Sequence, residues 1–244
     1  MRYSEEAVPD TLEPFVRAIW RMEAGGLPTE TLQRTAAPDG CIELIMRLEG
    51  RSSWRTSQPA RFVAGLCTGP ARLELSGDAA FAGARLWPWA WNLLGDLPCP
   101  GFHNRWIAPD PTSRAGRLLG GGTITASCLA ALFAGLPASD IGRHVVASAS
   151  TGELAERSGQ GHRTLQRWFK REIGLSPRQY FRLLRFQNAV GDDARPATRL
   201  ADKAADAGYA DQAHMTRDYR RFAGETPARM RRASAGPFVK GRET

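Results

Sequence analysis

A chain of 244 residues with 42% hydrophobic and 24% charged residues has the composition of a folded globular protein, long enough for one large domain or two ordinary ones. Its net charge of +8 is unevenly placed, because residues 1 to 139 hold 13 Lys and Arg against 13 Asp and Glu while residues 140 to 244 hold 20 against 12. No run approaches the roughly 18 apolar residues of a membrane span and the acidic opening Ser4-Glu5-Glu6 is unlike a signal peptide, so a cytoplasmic protein is expected.

From Thr11 to Met22 the apolar pattern mixes periods and predicts extended chain entering a first strand. Ile42, Leu44, Met46 and Leu48 alternate with Glu43, Ile45 and Arg47 up to a turn at Glu49-Gly50, the pattern of a half-buried strand. Phe62, Ala64 and Leu66 alternate again, as do Leu73 and Leu75, and Ala80 to Trp87 adds a further strand. Several short strands between Gly and Pro turns, without crossover helices, predict an antiparallel, barrel-like sheet. Short helices are expected at Pro88 to Leu94, Ser113 to Leu119 and Thr125 to Phe133, before a junction at Gly135 to Ser139.

The second half reads as helices. Asp140 can cap a helix to about Val146, and Ser150 with Glu153 forms a capping box for helix 152 to 158. On the helix that follows, Leu165, Trp168, Phe169 and Ile173 fall on one face, and Arg163, Gln166, Arg167 and Lys170 on the other. Ser176-Pro177 with Gln179 starts a long helix to about Val190, followed by a loop from Asp192 to Pro196. Helices Arg199 to Ala207, Gln212 to Phe222 capped by Asp211, and one from Pro227 complete the pattern, with a fraying tail after Ser234.

Fifty residues apart, Leu165, Gln166, Arg167, Phe169, Gly174, Ser176 and Pro177 are answered by Met215, Thr216, Arg217, Tyr219, Gly224, Thr226 and Pro227. Each copy follows a short Ala-containing helix and a Gly turn, which is the helix-turn-helix signature. Two such units, with Gly-Tyr-Ala-Asp-Gln-Ala-His-Met-Thr-Arg-Asp-Tyr-Arg-Arg-Phe-Ala-Gly-Glu-Thr-Pro in the second, resemble the AraC/XylS family of bacterial transcription regulators over residues 140 to 233. The resemblance implies an α+β protein with residues 1–137 as a β-rich effector-binding domain, 138–233 as a double helix-turn-helix DNA-binding domain and 234–244 as a flexible tail. Pro38 to Leu44 and Gly83 to Pro88 resemble segments of the sensory domains of one uncharacterised branch of that family.

It further implies that Arg163, Gln166 and Arg167 face bases from the first recognition helix, and Gln212, Thr216 and Arg217 from the second. Arg suits guanine O6 and N7, and Gln suits adenine N6 and N7. Lys170, Arg220 and Arg221 are better placed for phosphates. The partner is therefore double-stranded promoter or operator DNA, with RNA polymerase and a second copy of the chain left open and no membrane implied. The first copy departs from the family pattern at Gln160 and Gly161, and the second at Lys203, whose stem is expected to cross the core with its ammonium in water.

Six of the seven tryptophans lie in the first half, and Trp87, Trp89 and Trp91 suggest either an effector pocket or ordinary core packing. The spacings of the four His and of Cys41, Cys67, Cys99 and Cys128 fit no metal site, so four free thiols are expected and neither metal nor cofactor is implied. A cysteine-dependent alkylation-repair protein or thiol redox sensor on the same DNA-binding domain is the alternative, with Cys41 and Cys99 as candidate thiolates. No other feature points to an enzyme.

Overall fold

The computed structural model describes residues 1–95, 97–191, 199–235 and 238–240, so the expected loop Asp192 to Pro196 lies outside the described residues. The first half contributes β1 (Arg2–Glu6), β2 (Val16–Glu23), β3 (Thr31–Ala36), β4 (Ile42–Glu49), β5 (Ser52–Trp54), β6 (Thr56–Ser57), β7 (Arg61–Ala64), β8 (Ala71–Ser76), β9 (Ala80–Leu86) and β10 (Trp106–Ile107). Its helices are α1 (Pro88–Trp91), α2 (Arg114–Gly120) and α3 (Ala126–Phe133). The second half contributes α4 (Asp140–Val146), α5 (Thr151–Ser158), α6 (His162–Glu172), α7 (Pro177–Gly191), α8 (Leu200–Asp206), α9 (Gln212–Phe222) and α10 (Pro227–Ala233).

The strands form two antiparallel sheets that do not close into a barrel. One runs β1-β2-β9-β4-β7-β10, and the other includes β3-β8-β5-β6. The expected barrel-like sheet is thus an open, two-sheet arrangement. A closed barrel needs a continuous ring of strand pairing, and here the two sheets keep separate hydrogen-bond ladders. The tail expected to fray instead adds β11 (Ser234–Ala235) and β12 (Phe238–Lys240), with β12 antiparallel to β3. The free side of β3 presents backbone donors and acceptors that such a segment can pair.

Strand β4 is covered on both faces, where the alternation predicted one. Ile42, Leu44 and Met46 pack beneath the helices with Val16, Ala84 and Leu86, while Ile45 faces the second sheet with Trp20, Phe62, Leu75 and Phe81. The larger of these cores continues past the predicted junction, through Leu129 and Phe133 to Val145, Leu154, Leu165, Trp168, Phe169 and Tyr180. The chain turns between α3 and α4, but the packing does not divide there. A second helical core gathers Phe186, Tyr209, Met215, Tyr219 and Phe222.

Most helix starts follow the predicted chemistry. Ser150 Oγ accepts from the Glu153 amide at 3.2 Å, and the Glu153 carboxylate reaches back to the Ala149 amide at 2.8 Å. Ser176 and Gln179 make the reciprocal pair at the start of α7. Helix α4 is capped by Ser139 through the Gly142 amide, with Asp140 inside the first turn, where its charge favours the helix N-terminus. No helix of the described residues is long and apolar enough to cross a membrane.

Gly83 sits opposite both Trp20 and Ile45 in the central sheet. A Cβ there would meet the Trp20 indole and lie 2.9 Å from the Leu44 carbonyl oxygen. Gly83→Ala should therefore destabilise the protein by about 1–3 kcal/mol through overpacking, read as a lower denaturant midpoint at unchanged slope.

Candidate nucleic-acid interface and ligand cavity

Helices α6 and α9 are each eleven residues long and divide their faces as the repeat requires. Leu165, Trp168 and Phe169 are buried on the first, and Met215, Asp218, Tyr219 and Phe222 on the second. Arg163, Gln166, Arg167 and Lys170 are exposed on α6; Gln212, Arg217, Arg220 and Arg221 are exposed on α9, where Thr216 is half-buried. Each helix is followed by a left-handed glycine, Gly174 at φ 81° and Gly224 at φ 73°, and preceded by a turn with another, Gly159 at 64° and Gly208 at 74°. A side chain rarely adopts that backbone, so these four glycines fix the angle at which each helix leaves its unit. Asp211 caps α9 through the His214 amide, whereas α6 starts at Gly161 with no side-chain cap.

The same helix position does different work in the two units. Trp168 packs on Trp89 with ring centroids 5.6 Å apart, anchoring the first unit in the N-terminal core. Its counterpart Asp218 is fully buried and accepts from Arg182 Nε of α7 at 2.6 Å, tying the second unit to the helix between them. The C-terminal end of α6 is also held from outside. Asn92 Nδ2 donates to the Glu172 carbonyl and carboxylate at 2.9 and 2.8 Å, and His103 Nε2 lies 2.7 Å from the Ile173 carbonyl. Lys203 is not wet at its tip as expected. The whole side chain is buried, with its ammonium 5.6 Å from the centre of the Tyr219 ring.

Trp87, Trp89 and Trp91 are core residues in this arrangement. Trp87 stacks on Trp89 at 5.4 Å, Trp91 lies edge-on to Phe102, and all three indole nitrogens donate to backbone carbonyls. None of the three walls the cavity between the two sheets. The open space lies between the two sheets, about 90 Å³ available to the centres of water molecules, walled by Trp20, Trp54, Ile45, Phe62, Leu73, Leu75 and Phe81.

One wall of this space is charged. Asp39, Glu43 and Arg85 line it beside Cys41, Gln58 and Cys67. Arg85 Nε lies 2.8 Å from Asp39 and 2.9 Å from Glu43, and its Nη1 lies 2.7 Å from Glu5. Burial opposes the Arg85 charge, but Glu43 and Asp39 outweigh it and hold its pKa up. Burial pushes the Glu43 carboxyl up to about 7, with Asp39 acting in the same direction and Arg85 against it. The sequence signal for this group was a charged residue inside an apolar strand, Glu43 in β4 and Arg85 in β9, and the two are direct cross-strand partners.

The candidate thiols are placed differently from a nucleophile's needs. Burial raises the Cys41 thiol, and burial followed by Glu172 raises Cys99 to about 12, so neither is poised as a thiolate. No metal-holding group of His, Cys, Asp and Glu occurs among the described residues.

Residues 154–233 match the family model described as Helix-turn-helix domain, and residues 6–108 match Domain of unknown function (DUF6597). The C-terminal segment is thus an AraC-type helix-turn-helix domain behind a distinct N-terminal domain. Among solved structures, ToxT from Vibrio cholerae O395 is similar at 10% identity over 88% of this chain and 96% of that chain, with a TM-score of 0.45. ToxT of the same strain bound to (E)-4-(8-methylnaphthalen-1-yl)but-3-enoic acid gives 8%, 93%, 97% and 0.47 for the same quantities. Wild-type ToxT from Vibrio cholerae strain SCE256 with unsaturated fatty acid bound gives 11%, 85%, 91% and 0.45. No curated protein matches the sequence.

Arg167 and Arg217 occupy matched, exposed positions, and neither makes an ion pair among the described residues. Changing either to Ala should cost about 1–3 kcal/mol on the preferred DNA and relax choice at one base position, while Lys170→Ala weakens all sequences alike. Equal losses on specific and random DNA for all three, measured by fluorescence anisotropy, would contradict this division of roles.

Proposed function

We propose that this chain, whose C-terminal part is an AraC-type helix-turn-helix domain, is a sequence-specific transcription regulator that reads DNA with both recognition helices and responds to a small molecule held in its N-terminal domain. The observation that carries the reading is the duplicated geometry of α6 and α9. Each buries one face, is followed by a left-handed glycine and leaves a row of Arg, Gln or Lys in solvent. Arg163, Gln166 and Arg167, with Gln212, Thr216 and Arg217, are assigned to base edges, and Lys170, Arg220 and Arg221 to phosphates.

A route for the response runs through the loop between β3 and β4. Pro38, Asp39 and Cys41 wall the cavity on one side of that loop. On the other side the Tyr180 hydroxyl donates to the Gly40 carbonyl at 2.8 Å, and Gln187 Nε2 donates to the Pro38 carbonyl. Gly40 has φ 81°, and a Cβ at its position would lie 3.0 and 3.1 Å from Leu184 and Leu183. Helix α7 therefore lies directly on the cavity wall, and it is the element that joins the two DNA-reading units. An occupant that shifts the loop shifts the helix that sets their separation.

The buried thiols do not favour the alkyl-acceptor alternative, since a poised thiolate needs an electropositive and accessible setting. DNA reading is tested by selecting bound sequences from a random pool and measuring affinity against salt. If about six phosphates are neutralised, the logarithmic slope should be near −5. The selected DNA should carry two half-sites about one turn apart, and inserting five base pairs between them should reduce affinity to that of one unit. A flat salt response with no enriched sequence would sink the reading, and unchanged affinity after the insertion would leave only one unit reading DNA.

A further inference from the structure

The space between the sheets has one charged wall, and each charge on that wall already has a partner. Asp39 and Glu43 both lie against Arg85, whose Nε is 2.8 Å from the first and 2.9 Å from the second. Arg17 adds a second guanidinium, which donates to the Asp39 carbonyl and whose charge acts on the Asp39 carboxylate. Two carboxylates thus face two guanidiniums. A ligand carboxylate would compete with Asp39 and Glu43 for those cations, and a ligand ammonium would compete with the guanidiniums for the carboxylates. Either ion would leave water without a free counter-charge to receive it, which is costly in a buried site. The wall therefore disfavours ligands of both signs.

A second observation concerns Gln58, an uncharged group on the same space. Ser53 pairs with Ser57 across the β5-β6 hairpin, so Ser52 and Gln58 stand opposite each other and share a face. Ser52 in turn pairs with Leu75, which belongs to the core between the sheets with Phe62 and Phe81. The Gln58 side chain therefore points inward, and the residue is only 6% exposed. Its backbone is satisfied by Ser52 and Arg47, but its amide makes no hydrogen bond among the described residues. Unlike the Trp20 indole nitrogen, which is sealed off, that amide keeps accessible surface. It offers one donor group and one acceptor to an occupant. The other walls, among them the rings of Trp20, Trp54, Phe62 and Phe81, call for hydrocarbon. About 90 Å³ is open to water centres, the same order as the roughly 150 Å³ apolar cavity that takes up benzene.

We propose that this cavity binds a small uncharged molecule, a single aromatic ring or hydrocarbon of similar size bearing one hydroxyl or carbonyl, with the oxygen hydrogen-bonded to Gln58. The paired charges of Asp39, Glu43, Arg85 and Arg17 form the barrier that turns away amines and acids of the same shape. The proposal rests on the N-terminal domain being the ligand-responsive part of a regulator, and it supplies the chemistry of that ligand.

The test uses the full chain and four probes of similar size, benzyl alcohol, toluene, benzylamine and benzoate, titrated by calorimetry at neutral pH. Benzyl alcohol should bind about tenfold or more tighter than benzylamine and benzoate. Gln58→Met keeps the volume and removes the amide, so it should weaken benzyl alcohol about threefold to tenfold and leave toluene unchanged. The assignment is overturned if either ion binds as tightly as benzyl alcohol, if benzyl alcohol does not bind, or if Gln58→Met weakens toluene as much as the alcohol. Should that variant fail to fold, the order of the probes on the unaltered chain decides alone. DNA binding is measured on the same preparation. Failure of the probe series with DNA binding intact removes the ligand assignment and leaves the regulator, whereas binding of the alcohol without DNA binding removes the regulator and leaves the site.

Discussion

The contact on which the rest of the molecule depends is the burial of Trp168 against Trp89. Through it the first recognition helix is not simply tethered to the N-terminal domain but completes that domain's core, along with Phe169 and Tyr180. Large aromatic side chains of this kind bury 150–250 Å² each by general experience, which makes such a seam costly to open. The polar contacts from Asn92 and His103 to the end of α6 then fix its orientation on carbonyls that a helix end leaves unpaired. The first unit is held as part of the larger body, and the second stands on its own smaller core.

This asymmetry arises from a single position in a duplicated segment. Where the first copy has Trp168, the second has Asp218, buried and paired with Arg182. An apolar ring at that position seeks another apolar surface, and a buried carboxylate must have a cationic partner. The two copies share their glycines and exposed faces, yet one docks outward on the N-terminal domain and the other inward on α7. Helix α7 is the common support, contributing Tyr180 to the first core and Phe186 to the second.

Function follows from that division of labour. The charge-balanced first half encloses a space whose polar wall is assembled from β4, β9 and the loop leading into β4. The basic second half offers two exposed helix faces. Among the hydrogen bonds that join them are those of Tyr180 to Gly40 and Gln187 to Pro38, on the loop that walls the cavity. A loop that is both a cavity wall and a helix seat can transmit an occupant's presence only as far as its two sets of contacts differ between states.

The sequence by itself determined the parts whose signals are local. The 3.6-residue alternation of α6 and α9, their left-handed glycines, the capping pairs at Ser150 and Ser176, and the period-two pattern of β4 are all written within a few neighbouring residues. The exposed Arg, Gln and Lys of both helices were legible for the same reason. What only the tertiary structure decided are the relations between distant segments. No local pattern says that β4 is covered on both faces, that the strands part into two sheets, or that Trp89 forms a seam with the helical half. The cavity, and the meeting of Asp39, Glu43 and Arg85 on its wall, depends equally on which strands pair. Periodicity tells a residue which side of its own element it occupies, but what covers that side is set by chain segments far away in sequence, and the same buried ring serves a core or a pocket according to what they leave open.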